Sequence, residues 1–104
     1  MGPTRGEMWW AEEPEIGRRP VLVLTRARAI EVLTWVLVAP ATRSVRGIPT
    51  EVGLNQEDGM PEVCALTLDN VRPLRKSLLA NRISSLAPEK MDEVCRALAT
   101  AVDC

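Results

Sequence analysis

Histidine is missing from all 104 residues of this chain, and so are phenylalanine and tyrosine. Without histidine there is no imidazole to serve as general base or metal ligand, and no serine–histidine nucleophile system. Trp9, Trp10 and Trp35 are the only aromatic rings. The cysteines, Cys64, Cys95 and Cys104, are odd in number and lack metal-ligand spacing, so they read as buried or incidental thiols in a reducing compartment. No apolar run nears the ~20 residues of a membrane span, and the first residues lack the charged-then-apolar pattern of a signal peptide. A glycine-rich phosphate loop, a paired-cysteine metal site and a nucleophile elbow are absent too. The expectation is a single cytoplasmic domain over 1–104, with 1–5 as a flexible leader and no membrane, metal or cofactor.

A formal net charge of −1 argues against a nucleic-acid binder. Its distribution argues the other way. Between positions 18 and 46 there are six arginines (Arg18, Arg19, Arg26, Arg28, Arg43 and Arg46) against one acid, Glu31. Glu12, Glu13 and Glu15 precede that block, and Glu51, Glu57, Asp58 and Glu62 follow it. A local basic field steers an anion more effectively than net charge does.

The chain is organised around two apolar runs, Val21 to Thr25 and Val32 to Ala39, with a short polar segment between them. Both are of strand length and apolar on successive residues, which predicts strands covered on both faces, as in a small barrel. Paired antiparallel, they bring Arg18 and Arg19 at the start of one to the same edge as Thr42, Arg43 and Ser44 at the end of the other. A fixed cation meeting a hydroxyl at the rim of an apolar core suggests a phosphate site. A salt bridge for Arg19 and an ordinary turn role for Thr42 are the plainer alternatives, and on composition alone they are favoured.

The other elements follow in order. Gly6 to Ala11 is a first strand; Trp9 and Trp10 point to opposite faces, with core packing or an interface favoured for Trp10 over base stacking. Glu12 to Gly17 is an acidic loop, Arg43 to Gly47 a polar turn, Ile48 to Leu54 a strand, Asn55 to Pro61 a loop, and Glu62 to Leu68 a strand. Arg75 to Leu79 reads as a helical turn and Asn81 to Ser84 as a short last strand. The clearest helix opens at Pro88, with Met91, Val94, Cys95, Leu98 and Val102 as its apolar face. The fold class is mainly β, with five or six strands and a C-terminal helix.

GRRPVLVLTR followed by VLVAPATRSVRGIPTEV resembles the MazF/PemK family of toxin endoribonucleases, and the likeness runs from RGEMWWA through LDNVRPLRKSLL to SSLAPEKMDEV. The resemblance implies an SH3-like barrel of the CcdB/PemK type and a homodimer. It implies metal-independent cleavage of single-stranded RNA at short preferred sequences, and inhibition by a cognate MazE-like antitoxin through an acidic C-terminal tail. It makes Arg19, directly before the proline, and Thr42, closing the third strand, the catalytic pair. The substrate's own 2′-hydroxyl is then the nucleophile. Arg18, Arg43, Ser44, Arg46, Asp69, Asn70 and Arg72 become RNA-binding candidates. The chain departs from relatives in its short first loop, EEPEIG, where they carry a longer one before the Arg-Pro pair; Glu15 is the candidate for the acidic group that loop supplies. Cys64 and Thr67 replace expected aliphatic residues on the fifth strand, which bears on base selection. The alternative is a non-catalytic barrel that binds RNA or an antitoxin, or a CcdB-like toxin acting on a protein such as gyrase.

Overall fold

The computed structural model describes residues 2–103. Among these described residues seven strands, β1 (Glu7–Glu13), β2 (Gly17–Val23), β3 (Trp35–Thr42), β4 (Glu51–Leu54), β5 (Cys64–Thr67), β6 (Arg72–Arg75) and β7 (Leu79–Ser85), precede the helix α2 (Pro88–Val102). A single helical turn, α1 (Ala27–Ile30), joins β2 to β3. All pairings are antiparallel, in the order β4-β5-β3-β2-β1-β7, with β6 also on β3. The end strands β4 and β7 do not pair, so the sheet curls into a barrel-like wrap without closing.

The long β3 holds this together. Its first half, Trp35 to Val38, pairs with β6, and its last residues, Ala41 and Thr42, pair with β5. β2 runs along its other edge, with Val21 opposite Pro40 and Val23 opposite Val38. The apolar runs separate by face as expected. Val21, Val23, Val36 and Val38 enter one core cluster, while Leu22, Ala39 and Ala41 enter a second, roofed by Val94 and Ala97 of α2. Alternation along a strand thus feeds two cores from one sheet.

Several expectations need correction. Val32 and Leu33 are not strand: they follow α1 at the surface, where the polar ARAI segment closes a helical turn instead of extending. Trp35 and Leu37 are each about half exposed (50% and 48%), so the first half of β3 is covered on one face only. Glu12 and Glu13 belong to β1, which shortens the hairpin loop to residues 14–16. Ile48 to Thr50 precede β4, and Arg72 to Arg75 form a strand that polar residues had concealed. The expected helical turn is a 3-10 turn at Lys76–Leu78. On α2 the inward residues are Met91, Val94, Ala97, Leu98 and Ala101; Cys95 and Val102 lie outward.

Within the expected leader, Thr4 and Arg5 are held. The Thr4 amide donates to Glu7 Oε1 (2.7 Å), and the Arg5 guanidinium donates to the Leu24 carbonyl and approaches Cys95 Sγ at 3.6 Å. Met1 and Cys104 lie outside the described residues.

Candidate functional site

Continuing the β2–β3 register two residues beyond Val21 and Pro40 sets Arg19 against Thr42 at the rim of the sheet. On its other side Arg19 pairs with Ala11 of β1. Two cavities, of about 340 and 250 Å³, meet here and share Arg19, Ala41 and Thr42 in their walls. Of the nine residues proposed from sequence, eight border these cavities. Arg18 and Arg43 border the larger, Ser44, Arg46, Asp69 and Asn70 the smaller, and the remaining two are the shared Arg19 and Thr42.

Arg19 is exposed, and its guanidinium makes no hydrogen bond or ion pair among the described residues. The salt bridge that composition favoured is therefore not formed. Thr42 Oγ1 accepts a hydrogen bond from the Ser44 amide (3.1 Å), which anchors the hydroxyl oxygen and leaves its proton to donate elsewhere. An unpaired fork of five N–H donors beside an oriented hydroxyl suits a tetrahedral oxyanion.

The two cavities differ in chemistry. In the smaller one several polar groups already satisfy one another. The Thr50 hydroxyl donates to Asp69 Oδ2 (2.5 Å), Glu51 Oε1 accepts the Arg46 and Gly47 amides (2.9 and 3.0 Å), and Asn70 Nδ2 donates to Thr67 Oγ1 (3.4 Å). The 3-10 turn Leu68–Asn70 places Asp69 and Asn70 here. The larger cavity is lined by Trp10, Met60 and Pro61, with the buried Ala41 and Cys64 at its floor. Arg18 lies over the Trp10 ring, 4.8 Å from its centroid, and reaches Asn81 Oδ1 at 3.4 Å. Arg43 and Glu62 form an exposed ion pair of 2.9 Å at the rim. Burial pushes the Cys64 thiol up, and the nearby Asp58 and Glu62 carboxylates push it further, so the floor stays neutral at physiological pH.

Arg72 stands apart. Its guanidinium is clamped by Glu13 in a two-pronged pair (2.8 and 2.5 Å) that ties β6 to β1, and it borders neither cavity. Glu15, in the 14–16 loop, borders neither one. Residues that sequence reasoning did not assign to the site include Thr50 and Glu51, along with Met60 to Glu62. Met60 and Pro61 come from a loop whose sequence does not say which face it covers, and Glu62, expected to open a strand, precedes β5 in the same 55–63 segment. Cys64 and Thr67, singled out as departures on the fifth strand, line the larger and smaller cavity respectively.

Residues 4–102 match the family model described as PemK-like, MazF-like toxin of type II toxin-antitoxin system. The chain is 48% identical over 103 residues to a probable endoribonuclease MazF5 of Mycobacterium tuberculosis, covering 98% of this chain and 94% of the relative. Among solved structures, it is similar to the Mycobacterium tuberculosis toxin MazF-mt6 (TM-score 0.86, 31% identity, 93% and 96% of the two chains covered). It is also similar to an endoribonuclease in complex with its cognate antitoxin from a mycobacterial species (TM-score 0.88, 26% identity, 97% and 95% covered).

Proposed function

The chain belongs to the PemK-like, MazF-like toxins of type II toxin–antitoxin systems, and from that premise we propose that it is an endoribonuclease toxin. It cleaves single-stranded RNA at short preferred sequences in the cytoplasm, without a metal, and is held inactive by a cognate antitoxin. The observation that carries this reading is the unpaired Arg19 together with Thr42 in the wall that two cavities share. A strand threaded along the cleft puts its scissile phosphate at that junction and a nucleotide on either side.

The 2′-hydroxyl of the upstream ribose attacks the phosphorus, the new 2′-O–P bond forms, the bond to the 5′-oxygen breaks, and the proton ends on that oxygen. The guanidinium of Arg19 forks onto the phosphorane oxygens as their charge grows, and the Thr42 hydroxyl donates to one of them. Because the nucleophile belongs to the substrate, the chain requires none of its own, in keeping with a sequence that lacks histidine. Ser44 and Arg46 hold the flanking phosphates, Arg18 and Arg43 meet the RNA from the larger cavity, and Asp69 and Asn70 face it from the smaller one. Arg72 serves the fold through Glu13 and is left out of the RNA surface.

The test is to incubate the purified chain with a long RNA in excess chelator and to analyse the ends produced. The expected products are an upstream 2′,3′-cyclic phosphate and a downstream 5′-hydroxyl, with no cleavage of an RNA carrying one deoxynucleotide just upstream of the cut. Normal cleavage of the deoxy-substituted RNA would reject the 2′-hydroxyl mechanism, and loss of activity with chelator would reject metal independence.

A further inference from the structure

Of the two cavities, the larger is built differently from a phosphate track. Its lining sets an indole, Met60, Pro61, a buried alanine and a neutral thiol beside the side chains of Arg18, Arg19, Arg43 and Glu62. We propose that this cavity is a nucleobase subsite. One base adjacent to the scissile phosphate stacks on the Trp10–Arg18 pair and is read along its edge by the Arg43–Glu62 pair. The inference rests on the RNA-cleaving reading above and assigns part of its sequence preference to named residues.

Three observations carry it. First, Trp10 and Arg18 are already stacked, at 4.8 Å, so an inserted base extends an existing stack. Indole rings and guanidinium planes are the usual partners of unstacked RNA bases. Their shared face follows from register: Trp10 lies opposite Pro20 and Glu12 opposite Arg18, which puts Trp10 and Arg18 diagonally on one side of the β1–β2 pair. Second, a volume of about 340 Å³ stands at the lower end for a small-molecule pocket and is ample for a base.

Third, the rim presents a donor and an acceptor 2.9 Å apart, Arg43 Nε and Glu62 Oε2. Every base carries an acceptor next to an N–H donor on its pairing edge, but the order and neighbours differ from base to base. A fixed donor–acceptor couple therefore discriminates among them once stacking has set the base's orientation. The pair is exposed at both ends (82% and 59%), so opening it for a base costs little.

The experiment places 2-aminopurine, whose fluorescence is quenched by stacking, at successive positions of a nine-nucleotide RNA spanning the mapped cut. One deoxynucleotide at the cut keeps the RNA intact. Quenching is expected at one position flanking the cut; it should disappear in W10A, which should also bind about tenfold more weakly. W10F, which restores a ring, should recover it. Mapping cleavage sites on a long RNA with E62Q should change the base preference at that position alone. A quenching profile unchanged in W10A, or a site preference unchanged in E62Q, would overturn the proposal.

If the chain cleaves no RNA, the same label in an oligouridylate nonamer separates the two ideas. Trp10-dependent quenching without cleavage keeps the subsite and sinks the enzyme. Cleavage without it does the reverse, and no binding at all sinks both.

Discussion

Arg19 is set apart from Arg43 and Arg72 by what it does not touch. Arg43 is engaged by Glu62 and Arg72 by Glu13, whereas Arg19 has its whole guanidinium available. Arg19→Lys keeps the charge but loses the fork, and cleavage should fall severely while the fold is unchanged; equal turnover would remove Arg19 from the chemistry. Thr42→Ala removes one oriented donor from the transition state, an expected loss of about 3 kcal/mol, or roughly a hundredfold in rate, with Thr42→Ser recovering most of it. The buried Cys64 gives a separate check. A thiol held protonated longer in the folded chain than in the unfolded one favours folding up to the ordinary thiol range. That contribution is lost as pH rises through the raised folded value. Thermal stability of the native chain should therefore drop more steeply across the alkaline range than that of Cys64→Ala. In a Cys104→Ser background, iodoacetamide should modify the exposed Cys95 well before Cys64. Comparable rates for the two would show that the cavity floor is open to solvent.

Among the elements, the 55–63 loop decides the shape of the larger cavity, and it is pinned from below. Asn55 Oδ1 accepts the Glu57 amide (2.8 Å), Asp58 Oδ2 accepts the Asn55 amide (3.0 Å), and the chain then turns at Gly59 with φ +84°. A Cβ on Gly59 would lie 2.5 Å from Ser84 Cβ, while the Ser84 hydroxyl donates to the Asp58 carbonyl at 2.9 Å. Gly59→Ala thus meets both a left-handed backbone and a clash with β7. The expected cost is about 2 kcal/mol, a fall of about 10 °C in melting temperature, and the Trp10 cavity should loosen with it. An unaltered melting curve would mean that the loop does not rest on β7. The strands that flank the site were legible because their apolar runs are uninterrupted: Val21 to Val23 and Val38 to Ala41 feed both cores, and the Arg19–Thr42 meeting follows from pairing them. What escaped was structure written in polar residues. The Arg72–Arg75 strand has one buried side chain, Leu74, and α1 has a sequence with no cap. The reach of the 55–63 loop over Cys64 depends on contacts with β7, distant in sequence, that no local pattern encodes.

At the scale of the whole molecule, net charge misleads and distribution does not. The chain totals −1, yet Arg18, Arg19, Arg43 and Arg46 surround one cleft while many of the acids lie elsewhere. Apolar side chains also remain on the surface, with Val32, Trp35 and Leu37 all at least 48% exposed. A second copy of the chain is the expected cover, so sedimentation at micromolar concentration should give twice the 11.5 kDa chain mass. A clean monomer would confine the substrate groove to one chain. The same charge pattern sets how an antitoxin inhibits. An acidic, extended tail complements a cleft ringed by four arginines and should occupy the place that RNA takes, so tail peptide and RNA should exclude one another. If those four side chains each displace about one condensed cation from single-stranded RNA, log affinity should fall with log salt at a slope of about −3, and Arg46→Ala should reduce that slope by about 0.7. Arg26→Ala, outside both cavities, should leave it unchanged. An antitoxin tail that binds tightly while cleavage continues, or an RNA affinity indifferent to salt, would mean that the basic cleft is not the shared surface.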